Sequence, residues 1–263
     1  MKRGSIVIYN DSRAHTSVSC LPEALGESFP DKTVFTADNN SFLQALHENR
    51  ADIAVIPGIW TENSKYYDMM GGDSGQKKLR DFVSNGGILM TICAGSYLVS
   101  EKTEYIPPWG DRRERTNNTA LFNALARGPL QGMGMKPDGP EWYDGVHAVP
   151  VKFKAADGTW KETQIAYGNG PALFPHDENH NYEVLARYNS LPDAPIAAAW
   201  QNVGRGAALW LGVLPHIGWQ EVDNHPSIKK IWDLMNELKP HEAARKELWD
   251  GLMGKIKQQP SLT

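Results

Sequence analysis

Cysteine is scarce in this sequence, and its scarcity limits the classes of protein to consider. The 263 residues include two cysteines, too few for a disulfide framework, and two thiols are typical of a reducing compartment. The sequence also lacks a large excess of either charge, since 27 Lys and Arg against 31 Asp and Glu give a net charge of −4, and it has no long basic run. We therefore expect neither a disulfide scaffold nor a nucleic-acid partner.

Long apolar runs are also missing. None reaches the length of about 18 residues that a membrane helix needs. The basic start of the sequence is followed by four consecutive apolar residues, Ile6 to Tyr9, which is too short for the apolar core of a signal peptide. The sequence thus predicts a cytoplasmic protein without membrane contact.

The first hundred residues alternate between short β-rich runs and helical spacing. Buried strands are predicted at Ser5–Tyr9, Thr33–Ala37, Asp52–Ile56 and Ile88–Ile92. Three helices are predicted: one at 16–29, one that begins at a cap at Asn40 or Ser41, and one at 74–84. This alternation predicts an α/β fold in which helices cover both faces of a mostly parallel sheet.

The second half of the sequence is typical of an antiparallel extension. Its strands are predicted at 146–153, 163–166, 182–187, 195–201 and 207–213, and the last should return to the main sheet. Two helices, over 226–238 and 242–256, should pack on the result. We assign residues 1–263 to one domain, with C-terminal helices spanning 226–257.

Cys93 stands where a buried strand meets a helix. The small residues Ala94 and Gly95 follow it, as a sharp turn carrying an exposed nucleophile requires. The N-terminus of the helix should lower the pKa of the thiol, and the N–H of Ala94 could donate to an oxyanion. The alternative is that Cys93 is one more buried apolar residue, as most free cysteines are.

Three further segments should share the sheet edge with Cys93, because the carboxyl ends of parallel strands meet there. Gly58 follows the preceding strand and could supply a second oxyanion donor, or lie in an ordinary loop. His216 follows the last strand and is the best candidate for a base. Ser12 and Arg13 follow the first strand, and Arg13 could bind a carboxylate.

Metal and cofactor sites are not predicted. The segment from His176 to His180 carries metal-capable side chains, but it lacks a helical i,i+4 frame and a cysteine pair. The glycine-rich segment 132–135 does not follow a strand with the spacing of a dinucleotide site. We expect no metal and no cofactor.

These motifs together resemble the class I glutamine amidotransferase-like superfamily. The resemblance rests on Pro57-Gly58, the stretch 82–87 (Phe-Val-Ser-Asn-Gly-Gly) and the stretch 93–97 (Cys-Ala-Gly-Ser-Tyr), and extends weakly through 167–171. Within that superfamily the sequence is similar to the N-terminal domain associated with eukaryotic biotin–protein ligases, which also occurs as a free-standing bacterial protein. A ligase domain, and hence biotin ligation, is not expected.

The resemblance implies a flavodoxin-like three-layer sandwich and a set of site residues. Cys93 would be the nucleophile, His216 the base, and Gly58 and Ala94 the oxyanion donors. Substrate contacts would come from Ser96 and from Tyr67 and Asp73, since the loop holding these last two overhangs the nucleophile in this superfamily.

Two positions depart from the pattern of the superfamily. Thr91 stands where a glycine usually precedes the nucleophile, and Gly218 stands where the acid that orients the histidine is expected. The possible third members of the triad are Glu221, Asp223 and Asp177.

The function predicted from these residues is an amidotransferase-like or amidohydrolase-like reaction on a small amide or related carbonyl compound. The alternatives are a non-catalytic ligand-binding or regulatory module that keeps the fold, and a redox-responsive thiol protein. A small-molecule substrate is expected, an unfused partner protein is possible, and the sequence leaves the oligomeric state open.

Overall fold

The computed structural model describes residues 4–11, 16–17, 20–59, 72–106, 111–130, 146–222 and 231–262. Its strands are β1 (Ser5–Tyr9), β2 (Thr16–Ser17), β3 (Thr33–Ala37), β4 (Ile53–Ile56), β5 (Gly58–Ile59), β6 (Ile88–Ile92), β7 (Ser100–Tyr105), β8 (Arg113–Thr116), β9 (Phe122–Gly128), β10 (His147–Lys154), β11 (Trp160–Tyr167), β12 (Ala172–Pro175), β13 (Glu183–Tyr188), β14 (Ile196–Val203) and β15 (Gly206–Leu211). Its helices are α1 (Leu21–Ser28), α2 (Asn39–His47), α3 (Gly72–Ser84), α4 (Ala94–Val99), α5 (Trp219–Val222), α6 (Ile231–Leu238) and α7 (Glu242–Lys257), with short 3₁₀ turns at Lys239–His241 and Pro260–Leu262.

A parallel sheet forms the first half of the fold, in the order β3–β1–β4–β6–β15. Alternate residues of its strands enter two different cores, as the period of a strand requires. Ile6 and Ile8 of β1 pack on one face, and Val7 and Tyr9 pack on the other. The sheet is therefore covered on both faces, and the predicted α/β architecture is confirmed.

The antiparallel extension begins at β14, which pairs with β15. From β14 the sheet divides into one branch through β12, β9, β7 and β8, and another through β13, β10 and β11. The pairings within these branches are antiparallel except that of β7 with β9, which is parallel and corrects the prediction of a wholly antiparallel extension. Residues of α6 and α7, among them Leu234, Leu248 and Ile256, lie in the same core as Val149 and Ile165 of the second branch. The assignment of the whole chain to one domain stays a prediction.

Four local predictions need correction. The first helix begins at Leu21 instead of residue 16, because 16–17 pair with Gly58–Ile59 as β2. The second helix is capped by Asp38, whose Oδ1 accepts from the N–H of Ser41 at 2.9 Å. Of the helix predicted at 226–238, the structure describes 231–238 as helical, and 226–230 lie outside the described residues. The strands β7, β8, β9 and β12 were not predicted: β7 and β8 are rich in charge, β9 has no β-branched residue, and β12 is four residues long.

In the part of the chain that is described, none of the helices has the length and apolar character needed to span a bilayer.

Candidate active site

Cys93 forms a tight bend between β6 and α4. Its backbone has φ 53° and ψ −116°, a region that residues other than glycine rarely adopt. The bend is fixed by its own hydrogen bonds, since the N–H of Cys93 donates to Leu211 O at 2.8 Å and the N–H of Ser96 donates to Cys93 O at 3.0 Å. The strand–turn–helix geometry predicted around Cys93 is therefore present, and it holds the residue in a strained conformation.

Small residues allow this bend to form against β4. A Cβ added at Gly95 would overlap the carbonyl oxygen of Ile56 and lie 2.9 Å from Ile56 Cγ2. A Cβ added at Gly58 would lie 3.3 Å from Cys93 Cβ and 3.5 Å from its Sγ. The end of β4 and the bend thus touch, and Gly58 lies directly beside the sulfur.

The Cys93 thiol is buried. The residue is 4% exposed, and its thiol donates a hydrogen bond to Gly168 O at 2.9 Å. Burial raises the pKa of the Cys93 thiol to about 12, whereas the N–H of Ala94 acts to lower it. The expectation that the helix N-terminus makes this thiol acidic is therefore wrong for this conformation, because desolvation outweighs the N–H dipole.

Residues 168–171, which we call the strap, cover the thiol. Four consecutive carbonyl oxygens of the strap accept hydrogen bonds from four buried side chains. The bonds run from Cys93 Sγ to Gly168 O (2.9 Å), from Tyr97 Oη to Asn169 O (3.4 Å), from Tyr167 Oη to Gly170 O (2.8 Å) and from Tyr188 Oη to Pro171 O (3.0 Å). Burial raises the pKa of each of the three tyrosines well above its usual range, so their hydroxyls stay protonated even in alkaline solution.

His216 lies in the turn after β15, the strand that pairs with β6. It is buried, at 5% exposure, and its ring centroid lies 6.2 Å from that of Trp249. The structure brings His216 to the predicted edge of the sheet, but the thiol of Cys93 donates to Gly168 O and not to this imidazole. Cys20, the N-cap of α1, approaches the same turn, with its Sγ 4.0 Å from His216 O.

Two carboxylates approach the backbone of Gly218, two residues after His216. A Cβ added at Gly218 would lie 2.5 Å from Glu221 Oε2 and 2.9 Å from Glu242 Oε2. Glu221 Oε2 is buried without a hydrogen-bond partner among the described residues. The space that a side chain at position 218 would enter is thus occupied by carboxylate oxygens from α5 and α7.

The start of α7 anchors the turn that carries His216. Arg245 is buried and donates from Nη1 to Pro215 O at 2.6 Å. It also pairs with Glu242 through two hydrogen bonds, at 3.0 and 2.5 Å. Sequence reasoning missed both residues, because nothing in a charged helix start indicates which distant loop it contacts.

The remaining predicted site residues divide into three groups. Ser96 is fully buried, and its hydroxyl donates to Leu211 O at 2.7 Å with Thr91 Oγ1 3.1 Å away, so it links β6 with β15, and its contact with substrate stays a prediction. Asp73 is exposed and accepts from Asn118 Nδ2 at 2.6 Å, while Asp177 is exposed in the β12–β13 turn beside Tyr182, away from the core around Trp249. Outside the described residues lie Ser12, Arg13, Tyr67 and Asp223.

Within the described ranges, no group of three or more His, Cys, Asp or Glu side chains is placed to hold a metal ion.

Comparison with known protein families identifies the family of this chain. Residues 5–261 match the family described as biotin-protein ligase, N terminal. The chain belongs to that family. One protein similar to this chain is an uncharacterized protein of Chlamydia muridarum, which is 27% identical over 226 residues, covering 82% of this chain and 81% of that protein. A biotin–protein ligase of Schizosaccharomyces pombe is 26% identical over 148 residues, which is 53% of this chain and 22% of the ligase.

Solved structures place this member of the biotin-protein ligase N-terminal family in a wider fold group. A glutamine amidotransferase of Thermotoga maritima superposes with a TM-score of 0.54 at 8% identity, covering 98% of this chain and 100% of that one. At that identity the likeness concerns the fold alone. The predicted resemblance to amidotransferase-like proteins and to the ligase N-terminal domain is confirmed.

Proposed function

We propose that this protein is a cysteine-dependent amidohydrolase or amidotransferase that acts on a small amide or a related carbonyl compound. The observation that carries the proposal is the bend at Cys93, where a strained backbone holds a thiol between the N–H of Ala94 and the backbone of Gly58. A nucleophile flanked by one backbone donor from its own strand–helix turn and one from the segment after the neighbouring strand has the parts that acyl transfer needs.

The proposed reaction begins when the Cys93 thiol loses its proton to His216 and Sγ attacks the carbonyl carbon of the substrate. The N–H groups of Gly58 and Ala94 hold the oxyanion of the tetrahedral intermediate. The C–N bond breaks, His216 returns the proton to the leaving amine, and a thioester remains on Cys93. Water, deprotonated by His216, then hydrolyses the thioester to the acid and restores the thiol.

Glu221 is the third member of the proposed triad. Its Oε2 is buried against Gly218, the residue that follows His216 by two positions, and has no hydrogen-bond partner in the described part of the chain. A carboxylate placed there can orient the imidazole and stabilise its protonated form. Asp177 is not retained for this role, since it is exposed in the β12–β13 turn.

A ligand-binding module without turnover is the second candidate. The burial of Cys93, which raises the pKa of its thiol to about 12, favours this candidate in the conformation described here. The same burial disfavours a redox-responsive thiol, because oxidation of cysteine follows thiolate character and exposure.

The partners we propose are a small-molecule substrate at Cys93 and, where the released ammonia is used in synthesis, an unfused protein that accepts it. The cytoplasm is the proposed location. No nucleic acid or membrane is part of the proposal.

The proposed base is tested by replacing His216 with alanine. The wild-type protein should release ammonia from at least one member of a panel of primary amides that includes glutamine. The His216→Ala protein should be slower by roughly 10²- to 10⁴-fold, the contribution of general acid–base catalysis.

His180→Ala is the matched control, because the ring of His180 stacks on Tyr182 away from Cys93, at 4.2 Å between centroids. It should retain the wild-type rate. Equal rates for His216→Ala and the wild type would refute the assignment of the base. Absence of ammonia release from every amide would refute the enzyme and favour the binding module.

A further inference from the structure

The strap blocks the approach to the sulfur that the proposed reaction requires. A substrate carbonyl carbon must come within about 3–3.5 Å of Sγ to react. Gly168 O lies 2.9 Å from that atom, and Cys93 as a whole is 4% exposed. The conformation described here is therefore closed to substrate.

Two features show that the strap is seated tightly over the bend. A Cβ added at Gly170 would overlap the carbonyl oxygen of Gly212 and lie 3.2 Å from Cys93 Cα. A Cβ added at Gly212 would overlap Pro171 O and the hydroxyl of Tyr188. Glycine at both positions lets the strap lie against the backbone of Cys93 and the residue that follows β15.

The closed state is also strained on both sides of the contact. Asn169, in the strap, has φ 65°, and Cys93, beneath it, has φ 53°. Positive φ angles cost free energy for residues other than glycine, less for asparagine than for cysteine, and surrounding bonds offset that cost. The bonds from the three tyrosine hydroxyls to consecutive strap carbonyls, together with that from Cys93 Sγ to Gly168 O, act in this sense.

We propose that the strap is a latch that holds the Cys93 thiol closed, and that it opens when the tyrosine hydrogen bonds to residues 169–171 break. The role of the latch rests on the proposed function, because controlling when substrate reaches Cys93 matters only if Cys93 is the nucleophile. Its closed state does not depend on catalysis, because the thiol, the tyrosines and the strap carbonyls are all groups of the resting protein.

Removing one tyrosine hydroxyl tests the latch. The probe is iodoacetamide, and the readout is the rate of carbamidomethylation at Cys93, followed by peptide mass spectrometry with Cys20 as an internal reference. In Tyr188→Phe, which loses the bond to Pro171 O, the rate at Cys93 should rise about fivefold, the factor that one ordinary hydrogen bond contributes to an opening equilibrium. Tyr97→Phe should act in the same direction.

Tyr182→Phe is the matched control, because Tyr182 is buried and its hydroxyl has no hydrogen-bond partner among the described residues. It should leave the rate at Cys93 unchanged. An equal rise in Tyr182→Phe, or no rise in Tyr188→Phe and Tyr97→Phe, would overturn the latch.

Low urea concentrations separate latch opening from global unfolding. Opening of four residues exposes little surface, so the alkylation rate of Tyr188→Phe should vary little with urea below the unfolding transition. A steep dependence, parallel to that of global unfolding, would overturn the proposal. Alkylation needs neither the base nor a substrate, so a failed latch and a failed enzyme give different results.

Discussion

Cys93→Ala should lower the rate of amide hydrolysis by roughly 10⁴-fold or more, if an amide that the wild type hydrolyses is used as substrate. The loss is this large because no covalent intermediate can form without Sγ, and the backbone donors at Gly58 and Ala94 then have no developing oxyanion to stabilise. The fold should be retained, since alanine keeps the Cβ that lies against Gly58. Ammonia release and a urea unfolding curve measure the two effects.

Cys20→Ala is the matched thiol control for this experiment. Cys20 is the other cysteine of the chain, and its sulfur lies beside the backbone of His216, 4.0 Å from His216 O. This variant should keep its rate within a few-fold of the wild type. The nucleophile would have to be sought elsewhere if Cys93→Ala still released ammonia at the wild-type rate.

Gly95→Ala should destabilise the protein by about 3 kcal/mol, the upper part of the range for inserting a methyl group into a packed interior. The new Cβ would overlap the carbonyl oxygen of Ile56, a backbone atom of β4 that cannot rotate away, so α4 must shift from the sheet. Because α4 begins one residue after Cys93, the shift should also distort the bend and reduce any activity. Equilibrium unfolding in urea measures the first effect.

Gly26→Ala provides the matched control in another helix. A Cβ added at Gly26 of α1 meets no atom within 4 Å, and alanine is the better helix former. This variant should be stabilised by about 0.5–1 kcal/mol. If Gly95→Ala were as stable as the wild type, the close packing of α4 on β4 would not be what holds the bend.

The parallel half of the fold could be predicted from the sequence because its strands are buried on both faces. Val7 and Tyr9 face one core while Ile6 and Ile8 face the other, so the strand is apolar without interruption. The neighbouring positions of Gly58 and Cys93 follow from the same topology, since the two residues lie just beyond the carboxyl ends of the adjacent parallel strands β4 and β6. The edge strand β8 could not be recognised, because all four of its residues are exposed and charged or polar.

The surroundings of Cys93 could be predicted only in part. The sequence indicates the bend and the helix that follows it, which are local. The pKa of the thiol depends on the strap, which comes from the loop between β11 and β12, about seventy-five residues along the chain. A contact between residues so far apart in the chain leaves no periodic pattern in the sequence from which it could be predicted. The pair of glycines at 168 and 170 is the only local sign of a close backbone approach, and its partner is not evident from the sequence.

The acid of the site illustrates the same limit. Gly218 lacks a carboxylate, and the sequence left three residues to replace it. Packing favours Glu221 over Asp177 as the proposed acid, because Glu221 Oε2 lies against Gly218 whereas Asp177 is exposed in a different turn. Glu242 reaches the same place from α7, which sequence spacing could not indicate, and its pairing with Arg245 anchors it there.

The most direct test of the central claim is to trap the covalent intermediate. The protein is mixed with an amide that it hydrolyses and quenched in acid within the first turnovers, and its peptides are mapped by mass. The acyl group of the substrate should be found on Cys93 as a thioester, and His216→Ala should form it more slowly. Continued release of ammonia with Cys93 unmodified at every quench time, or an acyl group on another residue, would contradict a nucleophilic Cys93.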